Sequence, residues 1–279
     1  MFDHASRRDV VRRLGAAAGA TAVVGGFAGS ATAHFPPELA VEVKPGVTPN
    51  RINPDSDGFT AVGVLATEEF DPTGSPVRYR FGAPELVAGG QGPRSVHHEA
   101  RDLDGDGRED LLLQFPTDDA ELGGEEVAEL RWDNDRTRQH GLSGTDDVTP
   151  FPVTGSRRGD GSVFTGGQVE RVELVPGTFE SVAVRDRVPA SWTVVDGDLD
   201  RSRAGGPIEP TFGDAKYVYL APSDGSATYY VETPSGPEAT GEYSFGPFEV
   251  RPREGSGGWV AASDTSSRER VVGPKQPRQ

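Results

Sequence analysis

Beyond residue 33 this chain has almost no stretch whose apolar residues recur at the spacing of an amphipathic helix. They come instead in short alternating or β-branched runs: Leu39–Val43, Phe59–Leu65, Val77–Phe81, Leu111–Phe115 and Val127–Trp132. Later runs are Val169–Val175, Phe179–Val184, Trp192–Val195, Tyr217–Leu220, Thr228–Glu232, Tyr243–Val250 and Trp259–Ala262. Alternation at period two marks half-buried strands, because successive side chains point to opposite faces. The 37 glycines and 23 prolines punctuate these runs. Turn clusters such as Asn53-Pro54-Asp55-Ser56-Asp57-Gly58 and Pro222-Ser223-Asp224-Gly225-Ser226 separate them. Short, regularly spaced strands with turn signals predict an all-β chain of two β-sandwich-like domains. The apolar-poor segment from Gly155 to Ser162 reads as a linker. The expected organisation is a signal peptide over 1–33, a first β domain over 34–154, a linker over 155–168, a β-sandwich over 169–272 and a disordered tail over 273–279.

The first 33 residues carry Ser6-Arg7-Arg8-Asp9-Val10-Val11-Arg12-Arg13, a weakly apolar Ala/Gly-rich stretch from Leu14 to Gly29, and then Ala31-Thr32-Ala33. A charged start, an apolar middle and a small-x-small end define a cleavable export signal. The middle is shorter than the ~20 residues of a spanning helix and too glycine-rich for a stable surface helix. Paired arginines ahead of a weak apolar stretch resemble the twin-arginine signal, which implies export of folded cargo. A secreted protein without an integral membrane anchor is therefore expected.

Composition narrows the setting further. The chain has 44 Asp and Glu against 28 Lys and Arg, a net charge of −16. Only Lys44, Lys216 and Lys275 are lysines. Acid excess with arginine in place of lysine resembles the proteins of salt-loving archaea. At molar salt the Debye length is about 3 Å, so like charges on such a surface are screened. The same charge repels phosphates and argues against a nucleic-acid partner. With no cysteine in the chain, disulfides cannot brace an exported fold.

The strongest chemical signal is Asp102-Leu103-Asp104-Gly105-Asp106-Gly107-Arg108-Glu109-Asp110, followed at once by Leu111-Leu112-Leu113-Gln114-Phe115. Calcium is a hard cation that takes six to eight oxygens, and a loop with acids at alternate positions wraps it. Asp102, Asp104 and Asp106 fall at loop positions 1, 3 and 5, and Gly107 at position 6 permits the sharp turn. Arg108 at position 7 would offer its backbone carbonyl, and Asp110 at position 9 another carboxylate. Position 12 is Leu113 rather than a bidentate Glu, and strands rather than helices flank the loop, so this is not an EF-hand. The loop resembles the calcium hairpins of FG-GAP and related cell-surface β-repeats.

The first half as a whole resembles a small module of secreted bacterial and archaeal proteins. The likeness runs through Val41-Glu42-Val43-Lys44-Pro45-Gly46, Pro49-Asn50-Arg51-Ile52-Asn53, the run Gly58–Leu65, Phe70-Asp71, Val77–Gly82 and the acidic loop. It covers about residues 39–151 and departs at Arg78-Tyr79-Arg80, two residues longer than the usual pattern. The second half is similar to surface β-sandwich accessory domains of salt-loving archaea, through Val184–Val194 and through Thr240-Gly241-Glu242-Tyr243-Ser244-Phe245-Gly246-Pro247. The resemblance implies an extracellular accessory role without enzymatic activity, and Trp192, Tyr243 and Phe245 as core aromatics.

Catalytic signatures are wanting. There is no H-E-x-x-H, G-x-S-x-G or glycine-rich phosphate loop. The histidines are His4, His34, His97, His98 and His140. The adjacent pair His97-His98 would point to opposite faces of a strand. No carboxylate pair stands out for glycoside hydrolysis. The expectation is a secreted, non-catalytic, calcium-binding protein, structural or adhesive, with a cell-surface polymer or glycan as its partner. The alternatives are a glycan- or matrix-binding accessory module and a secreted hydrolase.

Overall fold

The computed structural model describes residues 38–74, 78–133, 143–177, 182–252 and 257–273. The expected signal peptide, His34, His140, Val77, the start of the run Phe179–Val184 and residues 274–279 of the expected tail lie outside the described residues. The first lobe contains β1 (Val41–Val43), β2 (Arg51–Ile52), β3 (Phe59–Val64), β4 (Tyr79–Gly82), β5 (His97–Arg101), β6 (Asp110–Pro116), β7 (Val127–Trp132), β8 (Ser143–Asp147) and β9 (Thr149–Pro150). The second contains β10 (Gly155–Gly159), β11 (Val163–Thr165), β12 (Val169–Pro176), β13 (Val182–Pro189), β14 (Thr193–Gly197) and β15 (Ile208–Thr211). It continues with β16 (Ala215–Leu220), β17 (Ala227–Glu232), β18 (Gly241–Phe245), β19 (Glu249–Pro252), β20 (Val260–Ala261) and β21 (Ser267–Val272). Among the described residues the one α-helix is α1 (Pro84–Ala88). The all-β expectation holds.

In the first lobe, the sheet β1-β3-β6-β5 faces the sheet β4-β7-β8. Strand β6 alternates buried Leu111, Leu113 and Phe115 with half-buried Leu112 and Gln114. That period places one face of its sheet inward. Val62 opposite Leu113 in the β3–β6 ladder continues the buried face. Tyr79, Phe81, Ala128 and Leu130 supply the other wall. Phe81 and Phe115 meet across the two sheets with ring centroids 5.3 Å apart.

In the second lobe the sheets β10-β12-β17-β14, β11-β21-β18 and β15-β16-β13-β19-β20 enclose one core. Trp192, fully buried, sits at its centre. Phe164, Tyr243 and Phe245 meet it edge-on, with centroids 5.9, 5.8 and 4.8 Å away. Each such pair is worth about 0.5–1.5 kcal/mol beyond the area buried. The core role expected for Trp192 and Phe245 is what the structure has, while Tyr243 packs against the cluster partly buried.

The segment 155–168 departs from the linker expectation. Gly155–Gly159 forms β10, paired antiparallel with β12, and Val163–Thr165 forms β11, paired in parallel with β21. Gly155 and Gly159 sit there because of close packing. A Cβ on Gly155 would lie 2.4 Å from Phe248 Cζ, and one on Gly159 would lie 2.5 Å from Glu170 Oε1. The two cores nevertheless divide near this segment, one ending at Val148 and the other beginning at Val153. Direct contacts join the lobes. Asn53 Nδ2 donates to Val153 O and Ala261 O, both at 2.8 Å. Phe59 meets Phe212 edge-on at 5.1 Å.

Candidate functional site

The acidic segment is the hairpin connection between β5 and β6. Gly105 and Gly107 adopt φ of +78° and +87°, a region that L residues with a Cβ enter at a cost. The backbone then folds around the carboxylates. Asp102 accepts from Gly105 N at 2.7 Å and from Gly107 N at 3.1 Å. Asp104 Oδ1 accepts from Asp106 N at 3.0 Å, and Asp106 Oδ1 from Arg108 N at 2.8 Å. One carboxylate oxygen from each of Asp102, Asp104 and Asp106 lies within 4.8 Å of the others. Two unit charges 4 Å apart repel by about 1 kcal/mol even in bulk water and by about 4 kcal/mol at the effective dielectric of a protein surface. Hard oxygens gathered in this way match what calcium seeks.

Asp110, the fourth expected carboxylate, is placed differently. Asp110 stands at the start of β6, buried, outside the trio. Its Oδ1 accepts from Ala66 N at 2.7 Å and its Oδ2 from Leu103 N at 2.7 Å. It fixes the base of the hairpin to the segment that follows β3. Arg108 turns its guanidinium back on Asp106, with Nη1 3.2 Å from Oδ2. His97 and His98 pair with Gln114 and Leu113 as neighbours on β5 and so face opposite ways. His97 stacks on Phe212 at 5.3 Å.

One flank of the loop opens on a cleft that sequence reasoning did not find. The cleft has a volume of about 350 Å³ between the lobes, and Asp102, Lys44, Phe59, Arg185, Tyr217 and Trp259 are among its walls. Strand β13 turns Asp186 into the core and Arg185 toward the first lobe. Arg185 pairs with Glu249 and lies over the rings of Tyr217 and Trp259, 3.9 and 4.8 Å from their centroids. Burial raises the Tyr217 phenol well above its ordinary value, with Glu249 adding to the shift and Arg185 and Arg187 opposing it. Lys44 Nζ donates to Arg51 O at 2.6 Å and to Trp259 O at 2.5 Å. Burial pulls the Lys44 ammonium down to about 8; Glu249 opposes that shift, and Arg185 and Arg51 add to it. The Lys-Pro-Gly motif thus has a structural task. Lys44 takes φ +52° and Gly46 φ +75°, which aims the lysine across the lobe boundary. The separation of 215 residues between Lys44 and Trp259 kept this site out of view in the sequence.

No protein family and no curated protein sequence matches the chain. Among solved structures, it is similar to a non-cellulosomal cohesin from the hyperthermophilic archaeon Archaeoglobus fulgidus, at 17% identity over 44% of this chain and 92% of that one, with a TM-score of 0.27. It is similar to the Yersinia pseudotuberculosis adhesin InvE at 13% identity over 84% of this chain and 60% of that one, TM-score 0.23. It is also similar to tandem Ig repeats of Dlar at 11% identity over 85% of this chain and all of that one, TM-score 0.29. These scores assign no family. No helix among the described residues is long and apolar enough to cross a membrane.

Proposed function

We propose that this chain is a non-catalytic, calcium-binding β protein of the cell surface or extracellular space, structural or adhesive in role, exported by the twin-arginine route. The observation that carries the proposal is the convergence of Asp102, Asp104 and Asp106 within 4.8 Å on one hairpin. Calcium would neutralise the trio, and the carboxylates are already oriented by the loop's own N–H groups. A ligand at a hundred times its Kd stabilises the folded state by about 2.7 kcal/mol. For a chain of this size that raises Tm by roughly 5–10 °C. The test is thermal unfolding in molar KCl, with calcium and with a chelator. Equal Tm in both sinks the calcium reading. Export is tested by replacing Arg7 and Arg8 with lysine, which is expected to leave the protein inside the cell.

The cleft favours a second reading, a saccharide- or matrix-binding module. Aromatic rings beside charged groups suit a ligand with both an apolar face and polar edges. Trp259 is the reporter. Titration with cell-surface polysaccharide should change tryptophan fluorescence, and Trp259→Ala should abolish the change. A flat titration removes this reading and leaves the structural one.

A further inference from the structure

The inward face of the second lobe carries an imbalance of buried charge. Asp186 on β13, Glu170 on β12 and Glu269 on β21 are 0%, 2% and 5% exposed. The cation that faces them is Arg157 on β10. It pairs through Nη2 with Asp186 Oδ1, and its Nε donates to Thr265 O at 2.8 Å. The Tyr229 hydroxyl donates to Asp186 Oδ2 at 2.5 Å. Arg157 and Asp186 therefore cancel, and Glu170 and Glu269 share no cation of their own: each stays neutral by holding a proton or is charged only beside a counterion.

Both glutamates border a cavity of about 230 Å³, together with Arg157, Gly159, Phe245 and Ser267. Glu170 Oε2, Glu269 Oε2 and Arg157 Nη1 are buried and have no hydrogen-bond partner among the described residues. The Ser267 side chain hydrogen-bonds to the Glu269 carboxylate. The absence of a side chain at Gly159 leaves the space that Glu170 Oε1 occupies, 2.5 Å from where a Cβ would stand. Asp264 at the rim adds further negative charge. Burial pushes the Glu170 carboxyl up to about 8; Glu269, Asp160 and Asp186 add to the shift and Arg157 opposes it. An uncompensated ion in a protein interior costs several kcal/mol, so a cation entering the cavity would take the place of the proton that otherwise neutralises the pair.

We propose that this cavity is a second cation site, separate from the β5–β6 loop, in which Glu170 and Glu269 hold a divalent, oxygen-seeking ion of the calcium class. Two carboxylates match the charge of one divalent ion. The available donors are carboxylate and hydroxyl oxygens, with no histidine or thiol to favour a softer metal. A water takes about 30 Å³ of liquid volume, so the cavity holds an ion together with several waters. Those waters would also accept the spare N–H of Arg157. Calcium tolerates an irregular, mixed shell of carboxylate and water, whereas magnesium demands near-octahedral geometry. An ion here would tie β12 to β21, two strands of different sheets.

The test silences the loop first. The full secreted chain carrying Asp104→Asn and Asp106→Asn is titrated calorimetrically with CaCl2 in molar KCl. One bound ion is expected, with Glu170→Gln and Glu269→Gln each weakening it at least about tenfold through loss of ligand charge. Absence of binding in the loop-silenced protein, or binding unmoved by both glutamine substitutions, overturns the proposal. If the glutamine variants do not fold, crystals of the unaltered protein grown with Tb³⁺ decide the matter. An anomalous peak between Glu170 and Glu269 supports the site, and its absence overturns it. Failure of the loop to bind calcium leaves this result readable, because the loop plays no part in it.

Discussion

Asp104 and Asp110 carry the same carboxyl group six positions apart, yet the fold gives them different tasks. Asp104 belongs to the convergent trio. Asp110 is buried, with its two oxygens taken by the N–H groups of Ala66 and Leu103. An asparagine at 110 would keep one acceptor and turn an amide donor toward the other N–H. Leaving a buried donor unmet costs about 1–3 kcal/mol. Asp110→Asn is therefore expected to lower stability by that amount equally in calcium and in chelator, as read by urea unfolding. Asp104→Asn should leave stability in chelator nearly unchanged and remove the gain that calcium confers. A loss in Asp110→Asn that appears only with calcium present would make Asp110 a ligand rather than a brace. The spacing of the motif made both aspartates candidates, but burial distinguishes them, and burial is set by Ala66, far outside the loop. Arg157 and Asp186 show the same limit on a larger scale. Charged residues in strands read as solvent-facing, whereas here they meet inside a core. Arg157→Met would leave Asp186 buried without its counterion, at an expected cost of about 3–5 kcal/mol measurable by the same unfolding assay.

At the scale of elements, the strands legible in the sequence are those that bury an apolar stripe. The runs expected at Phe59–Leu65, Leu111–Phe115 and Val127–Trp132 correspond closely to β3, β6 and β7. The strands with the weakest apolar signal are largely polar: Ser143–Asp147 escapes notice, and His97–Arg101 is marked only by its place beside the acidic loop. His97–Arg101 and Ser143–Asp147 lie at sheet edges and are held by backbone ladders to β6 and β7. A ladder bond leaves no trace in hydrophobic periodicity. The helix Pro84–Ala88 is too short to show a period. β10 was obscured by its glycines, which suggest a linker when read locally. Its packing gives a clear expectation. Gly155→Ala would drive a Cβ into the ring of Phe248, and overpacking of this kind costs about 1–3 kcal/mol. A linker glycine would accept alanine with no loss, so an unchanged urea midpoint for Gly155→Ala would mean that β10 is not packed as the structure has it. The acidic loop, by contrast, was legible because its three converging carboxylates all come from one short segment.

Across the whole molecule, Lys44 links the first lobe to the second. Its Nζ donates to Arg51 O within its own lobe and to Trp259 O in the other. Two acceptors are served by a neutral amine as well as by an ammonium, and burial favours the neutral form, with a folded-state value of about 8 against 10.5 for an ordinary lysine. The linkage has a definite sign. Below pH 8 the lysine is charged in both states, and the folded protein bears the cost of keeping that charge from water. Between about pH 8 and 10.5 the unfolded chain holds a proton that the folded one has released, so stability rises with pH across this window. Lys44→Met removes the titrating group and leaves the rest of the cleft, including Tyr217, in place. The stability difference between the parent and Lys44→Met is therefore expected to shift in the parent's favour between pH 7.5 and 9.5, whatever other groups do in both proteins. Urea unfolding at the two pH values, at fixed ionic strength, measures it. A difference that stays flat would place Lys44 at the surface and take away one of the contacts that join the lobes, leaving those of Asn53 and Phe59.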